Sequence, residues 1–195
     1  MAERAAERMT AAAFLAFTAG REERWDLVDG VPQMMAGAKR QHDRIVVNTL
    51  GLLAAQLRGR SCEPFTADTF IRIPSGNYRM PDAGVDCGQA AAEDRAAKEP
   101  RLVVEVLSPS TRDFDMFGRL DEYKSVETLW HILLIDPDMP QATAWSRDGA
   151  GDWSHRIVLG LEAEIRLAAL DLVLPLAELY ARIEFPPRPR LVETA

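Results

Sequence analysis

The order of predicted helices and strands indicates one α/β domain of the α+β type, a mixed β-sheet flanked by helices. Residues 101–107 form an apolar run typical of a strand buried on both faces, and residues 130–138 indicate a second buried strand that stops at Asp136-Pro137. Residues 113–126 lie between them and have the period of a helix, so we expect a right-handed crossover that makes the two strands parallel neighbours. The 195 residues, 47% of them hydrophobic, suffice for one core.

The N-terminal third alternates between helical and strand patterns. Thr10 precedes an apolar run, which predicts an N-capped helix ending near Gly20. Residues 25–35 alternate around Asp-Gly, a strong hairpin signal, and apolar residues recur every three or four positions over 41–58, which indicates a long helix. Residues 68–85 predict two strands around a Pro-Ser-Gly-Asn turn.

The C-terminal part predicts a hairpin and a closing helix. Residues 141–149 and 152–160 form the hairpin, and 174–184 the helix. Residues 90–99 are polar and should form an outward loop. The expected organisation is an N-terminal extension over 1–8, a single domain over 9–184 and a Pro-rich tail over 185–195.

Charge and cysteine content narrow the classes of protein. With 23 Lys and Arg against 30 Asp and Glu, the net charge of −7 has the wrong sign for coating nucleic acid, although a nuclease needs only a local basic rim. Cys62 and Cys87 lack CxxC spacing, and we expect two reduced thiols in the cytoplasm. The apolar run 11–17 is too short to span a membrane, so no membrane partner is expected.

Glu105 is the most informative residue, because it interrupts a strand whose other members are apolar. A carboxylate in such a strand must be paired, protonated or bound to a metal, since an isolated buried charge is prohibitively costly. A structural ion pair with an arginine and a metal site are both open on this pattern.

Asp82 favours the metal site, although Pro-Asp by itself is more often a turn. It sits near the end of a predicted strand that can lie beside the strand of Glu105. Two carboxylates on adjacent strands make an oxygen site suited to Mg²⁺ or Mn²⁺, whereas Zn²⁺ favours His or Cys.

Six segments, in order and spacing, resemble a bacterial family with the description "putative restriction endonuclease", within the PD-(D/E)XK nuclease superfamily. These segments are WDLVDG, QHDRIVVNTL, MPDAGV, LVVEVLSPSTRDFD, EYKSVETLWHILLID and LPLAELY. The resemblance covers about residues 10 to 183, and VVEVLSPST is its most specific part. It implies a restriction-endonuclease-like mixed sheet with extra N-terminal and C-terminal hairpins, and Mg²⁺-dependent phosphodiester hydrolysis.

The resemblance also assigns residues to roles. It makes Asp82 and Glu105 the two acidic residues of the superfamily, and it places Arg119 where the family has a lysine four residues before a tyrosine. The superfamily's usual lysine position, two after the glutamate, is Leu107. Arginine can stabilise a phosphoryl transition state but cannot act as a base. The alternative for Arg119 is an ordinary ion pair with Asp115.

Two further positions match the family. His42 lies at the first turn of the long helix, where the helix N-terminus would keep its imidazole neutral and able to accept a proton. Asp26 could supply a third carboxylate to the metal. The alternatives are a satisfied core histidine and a solvated strand residue near a turn.

The sequence thus predicts an endonuclease that uses Asp82, Glu105, Arg119 and His42 on DNA. Two alternatives stay open: a nuclease-fold binding or assembly module without catalysis, motivated by Leu107 and Arg119, and a metal-dependent hydrolase of a small phosphoester. We also expect a homodimer, because one small domain offers little surface to grip a duplex.

Overall fold

The computed structural model describes residues 8–35, 39–108 and 115–185. Its helices are α1 (Ala11–Thr18), α2 (Arg40–Leu57), α3 (Asp115–Lys124) and α4 (Leu176–Leu179). Its strands are β1 (Trp25–Val28), β2 (Val31–Met34), β3 (Glu63–Thr66), β4 (Ile71–Arg72), β5 (Tyr78–Arg79), β6 (Ala83–Asp86), β7 (Pro100–Val106), β8 (His131–Asp136), β9 (Gln141–Arg147), β10 (Trp153–Leu159), β11 (Glu164–Leu167) and β12 (Leu172–Pro175). None of the described helices is long and apolar enough to cross a membrane.

A six-stranded mixed sheet forms the frame, in the order β10-β9-β8-β7-β6-β3. The β7–β8 pair is parallel and its two strands are joined through the segment that carries α3, whereas the other neighbours are antiparallel. Strand β7 is central and almost entirely buried, as its apolar sequence predicts. The predicted pairing is therefore confirmed.

A smaller antiparallel sheet has the order β2-β1-β5-β4. Its β1–β2 hairpin turns at Asp29 and Gly30, whose φ angles of 50° and 79° lie in the left-handed region. Such angles suit a two-residue turn that follows the twist of the strands. The predicted hairpin is confirmed, as is the Thr10 cap of α1, in which the hydroxyl accepts a hydrogen bond from the Ala13 N–H at 3.2 Å.

The segment 68–85 contains three strands and not the predicted two. Strands β4 and β5 pair in the smaller sheet, but β6 pairs in the larger one. The chain passes between the sheets just before β6, so Asp82 precedes a strand and does not end one. Local alternation predicts strands but not the sheet that each strand joins.

The predicted closing helix over 174–184 is largely wrong. Only Leu176–Leu179 are helical, and Leu172–Pro175 form strand β12, which pairs with β11. Burial along β12 alternates, so its apolar residues follow the period of a strand. Of the expected tail, residues 186–195 lie outside the described part of the chain. The ring of Phe185 packs on Tyr180, with centroids 5.2 Å apart.

The expectation of two reduced thiols is also wrong, because Cys62 and Cys87 form a disulfide. They flank paired strands in which Glu63 is opposite Asp86, so the strand register brings together cysteines 25 residues apart. The loop over 90–99 is irregular as expected, but it turns inward at Ala96 and Ala97, which are buried against the sheet region around Phe70.

Candidate functional site

The register of β6 and β7 places the two predicted acidic residues side by side. Ala83 pairs with Val104, so Asp82 lies opposite Glu105 across the antiparallel pair, and opposite residues share a face of the sheet. The backbone N–H of Val106 donates a hydrogen bond to Oδ2 of Asp82 at 2.8 Å. The predicted adjacency of these strands is confirmed.

Glu105 is buried, with 5% of its surface exposed. Its Oε1 accepts hydrogen bonds from the Tyr123 hydroxyl at 2.6 Å and from Nη1 of Arg119 at 3.1 Å. Burial raises the pKa of Glu105 to about 7, and the Asp82 charge also raises it, against the lowering effect of Arg119 and Tyr123. The surroundings therefore disfavour the ionised carboxylate despite its arginine partner.

Arg119 bridges two acidic residues from different sheets. Besides Glu105, it donates from Nη2 to Oδ2 of Asp26 at 2.9 Å. Its Nε is buried and has no partner among the described residues. Arg119 and Tyr123 stand one turn apart on α3, which explains how both reach Glu105. The side chain of Asp115, the alternative partner, lies outside the described part of the structure.

Asp26 is 2% exposed, so the alternative of a solvated strand residue is wrong. Its Oδ1 accepts from the Met80 N–H at 2.9 Å, and its Oδ2 accepts from Arg119 and, at 3.3 Å, from Nη1 of Arg79. Both oxygens are thus engaged in hydrogen bonds. Asp26 holds two arginines in place, and its role as a metal ligand stays a prediction.

Sequence reasoning missed the outer part of this network. Arg79 on β5 forms an ion pair through Nε with Glu122, which also accepts a hydrogen bond from Asn77. Glu122 is on α3 beside Tyr123. Arg79 is a charged residue inside a predicted strand, as Glu105 is. The same argument, that a buried charge needs a partner of opposite charge, could have been applied to it.

His42 joins the site from the first turn of α2, as predicted. Its Nε2 lies 3.1 Å from Oδ2 of Asp82. Burial lowers its pKa, but the hydrogen bond and charge of Asp82, with a further contribution from Glu105, outweigh burial and raise it above the ordinary value. The expected direction was the opposite one, toward a neutral imidazole, and it left out the two carboxylates that the fold places beside this ring.

The oxygen donors at this site suit a hard cation. Within the described part of the chain, no hydrogen bond reaches Oδ1 of Asp82 or Oε2 of Glu105. The described residues contain no group of three or more His, Cys, Asp or Glu side chains arranged for a metal. Mg²⁺ commonly takes one or two carboxylates and keeps several waters, so two free carboxylate oxygens fit it, whereas a closed Zn²⁺ site would need more ligands.

The position of Leu107 adds nothing to this chemistry. Its backbone N–H donates to the carbonyl of Ile135 at 2.8 Å, which extends the β7–β8 pairing by one residue. Its apolar side chain cannot contact a phosphate electrostatically. Positive charge beside the two carboxylates comes from Arg119 and from His42 when protonated.

Comparison with known proteins places this chain in a family. The model of the family Uma2, with the description "Putative restriction endonuclease", matches residues 11–177. An uncharacterized protein of Synechocystis sp. is 31% identical over 159 residues, covering 79% of this chain and 80% of that protein. A second uncharacterized Synechocystis protein is 28% identical over 168 residues, covering 84% of this chain and 95% of that protein.

A solved structure shows the same fold. It is the crystal structure of "a putative nuclease belonging to DUF820" from Anabaena variabilis, and it matches with a TM-score of 0.71 at 16% identity. The match covers 88% of this chain and 97% of the Anabaena chain. The mixed sheet and its helices therefore have the fold of that Anabaena protein.

Proposed function

Because the chain belongs to the Uma2 family, with the description "Putative restriction endonuclease", we propose that it is a Mg²⁺- or Mn²⁺-dependent endonuclease that hydrolyses DNA phosphodiester bonds. One observation carries the proposal: the β6–β7 register sets Asp82 opposite Glu105 on one face of the sheet. Two buried carboxylates so placed repel each other, and a shared divalent cation would relieve that repulsion.

In this proposal the carboxylates of Asp82 and Glu105 would hold the metal. When bound, Mg²⁺ supplies positive charge to the phosphate and lowers the pKa of a coordinated water. Tyr123 and Arg119 hold Oε1 of Glu105, so the carboxylate keeps one orientation. The Val106 N–H does the same for Asp82.

His42 and Arg119 contribute charge and position. Arg119 stays protonated, so it can stabilise negative charge near Glu105 but cannot remove a proton from water. The imidazole Nε2 of His42 lies 3.1 Å from Oδ2 of Asp82 and so can help to orient that carboxylate. We propose that His42 positions Asp82 and can give a proton to the leaving oxygen.

A non-catalytic module is the second candidate, and the Glu105–Arg119 ion pair favours it. Arg119 already compensates part of the charge that a metal would otherwise compensate. Such a module would need no cation. A hydrolase of small phosphoesters, the third candidate, would bind the cation but leave DNA intact.

Calorimetry with Mg²⁺ and Mn²⁺, followed by a plasmid-cleavage assay, tests the proposal. The wild type should bind the cation and cleave plasmid, and Asp82→Asn and Glu105→Gln should lose both properties. Asp121→Asn and Glu127→Gln are matched controls, because they remove an exposed carboxylate of the same type. Metal binding without cleavage would favour the small-phosphoester hydrolase, and absence of both would favour the non-catalytic module.

A further inference from the structure

An open groove of about 480 Å³ lies where α2 begins. Six residues line it: Arg40, Gln41, Arg44, Arg182, Ile183 and Glu184. We call it the arginine groove. Three arginines and one glutamate leave it with a formal charge of 3 − 1 = +2, in a chain whose net charge is −7. The lining therefore has the charge expected for an anion-binding surface.

The three arginines are available to a ligand. Arg40 and Arg182 are exposed and Arg44 is partly exposed, and no ion pair joins any of them to a described residue. Arg40 and Arg44 are also one helical turn apart, a spacing at which like charges repel. An anion between them would remove that repulsion, and guanidinium groups bind phosphate oxygens in a bidentate manner.

The third arginine of the groove, Arg182, lies in a turn whose backbone conformation is unfavourable for a residue with a side chain. Arg182 has a φ of 65°, in the left-handed region that non-glycine residues seldom adopt. The turn is fixed to α2, because the side-chain amide of Asn48 donates to the carbonyls of Leu179 at 2.9 Å and Ala181 at 3.1 Å. Glycine would adopt this backbone conformation without strain. The presence of an arginine at this position therefore indicates a role for its side chain.

The groove and the candidate site share one helical turn. His42 follows Arg40 by two positions, so at about 100° per residue it faces the opposite side of α2 and contacts Asp82 there. The groove and His42 therefore lie on opposite sides of one helix. A helix with its side chains is about 10–12 Å wide.

We propose that the arginine groove binds the DNA backbone at phosphates flanking the one that reacts at Asp82 and Glu105. This inference rests on the proposed function for its substrate, but binding can be measured without cleavage. Backbone contact needs exposed arginines along an open surface, which the groove provides. A free phosphate ion offers the same chemistry, and the experiment separates the two.

The main test compares two double variants of equal charge. Arg40→Gln with Arg44→Gln removes two groove arginines, and Arg58→Gln with Arg156→Gln removes two exposed arginines elsewhere. Fluorescence anisotropy with a labelled duplex, in EDTA and again in Ca²⁺, gives the affinity over a range of salt. The groove variant should bind about tenfold more weakly, and its salt slope should fall by about 0.9 for each phosphate that the protein no longer neutralises. The control should bind as the wild type does.

Two single variants in the segment 182–184, which lines the groove opposite α2, provide a second test. Arg182→Gly should weaken DNA binding while leaving the melting temperature unchanged or higher, because glycine relieves the positive φ. Glu184→Gln should strengthen binding, because it removes the one acidic group of the lining. Weaker binding in Arg182→Gly together with a lower melting temperature would assign that arginine a structural role and count against the proposal.

The remaining outcomes are equally decisive. If both double variants bind DNA equally weakly, only the overall charge of the protein matters and the proposal is overturned. It is also overturned if the wild type binds no DNA in either buffer. Calorimetry with inorganic phosphate that detects binding at the groove, without DNA binding, would assign it to a free anion instead. Groove-dependent DNA binding with no plasmid cleavage would uphold this inference while the proposed function fails.

Discussion

At the scale of single residues, the candidate site is governed by the burial of charge. Glu105 has an arginine partner, yet its pKa is raised to about 7, because burial outweighs that partner and Asp82 adds a like charge. Between the ordinary pKa of 4.5 and this value, the folded protein binds more protons at Glu105 than the unfolded chain does. Stability from this group is therefore lost as the pH rises through that window.

We expect Glu105→Gln to raise the melting temperature of the metal-free protein at pH 8, and to remove the stabilisation by Mg²⁺. Near pH 4.5 the difference between variant and wild type should largely disappear, because the wild-type carboxyl is then protonated. In the wild type, metal at a hundred times its dissociation constant should add about 2.7 kcal/mol. Thermal melts with EDTA and with excess Mg²⁺ at both pH values measure these effects.

The opposite result would identify a structural ion pair. If Arg119 depends mainly on Glu105, the same substitution leaves the arginine uncompensated and should destabilise the protein by about 3–5 kcal/mol. Glu127→Gln, an exposed change of the same type, controls for the removal of one negative charge. A large decrease in the metal-free protein, without a metal response in the wild type, would rule out the metal site.

At the scale of elements, α2 links the candidate site to the antiparallel pair of β11 and β12. The first turn of α2 carries His42, and Gln56 in its last turn forms hydrogen bonds with β12. The Gln56 amide donates to the Val173 carbonyl at 2.8 Å and accepts from the Val173 N–H at 3.0 Å. The side chain of Gln56 thus provides hydrogen-bond partners for both the N–H and the carbonyl of Val173 on β12.

Gln56→Ala should lower the free energy of unfolding by about 1–3 kcal/mol, because it leaves both Val173 backbone groups without their partner. Urea unfolding measures the decrease, and faster hydrogen exchange at the Val173 amide would locate it. Gln89→Ala, in an exposed loop, is the matched control and should change little. A variant as stable as this control would show that water replaces the glutamine.

At the scale of the whole molecule, a buried ionic network joins the two sheets. Asp26 and Arg79 come from the smaller sheet, Glu105 comes from the larger one, and Arg119 on α3 bridges them. The sheets are thus connected at the place where the chain passes from one to the other. The disulfide adds a covalent link within the larger sheet, next to β3 and β6.

Replacing both cysteines, Cys62→Ala with Cys87→Ala, should destabilise the protein by about 3 kcal/mol, because the bond closes a segment of 25 residues in the unfolded chain. Adding reductant should lower the stability of the wild type by a similar amount and leave the double variant unchanged. Urea unfolding with and without reductant measures both effects. Two titratable thiols in the purified protein under oxidising conditions would contradict the disulfide.

The sequence by itself predicted the β1–β2 hairpin, the adjacent β7 and β8 strands and Glu105 as a buried carboxylate, because apolar periodicity and hairpin signals act over a few residues. Resemblance to a family pointed to Asp82, His42 and Arg119 as its neighbours. The structure brings these side chains into one cluster.

Only the tertiary structure decided which partners these groups have. Asp26 meets Arg119 across 93 positions of the chain, and Gln56 meets Val173 across 117. Such contacts depend on which strands pair and on which sheet a strand joins, and the alternation of apolar residues within one segment does not specify its pairing partner. For that reason the Cys62–Cys87 bond, the move of β6 into the larger sheet and the raised pKa of His42 were not predicted.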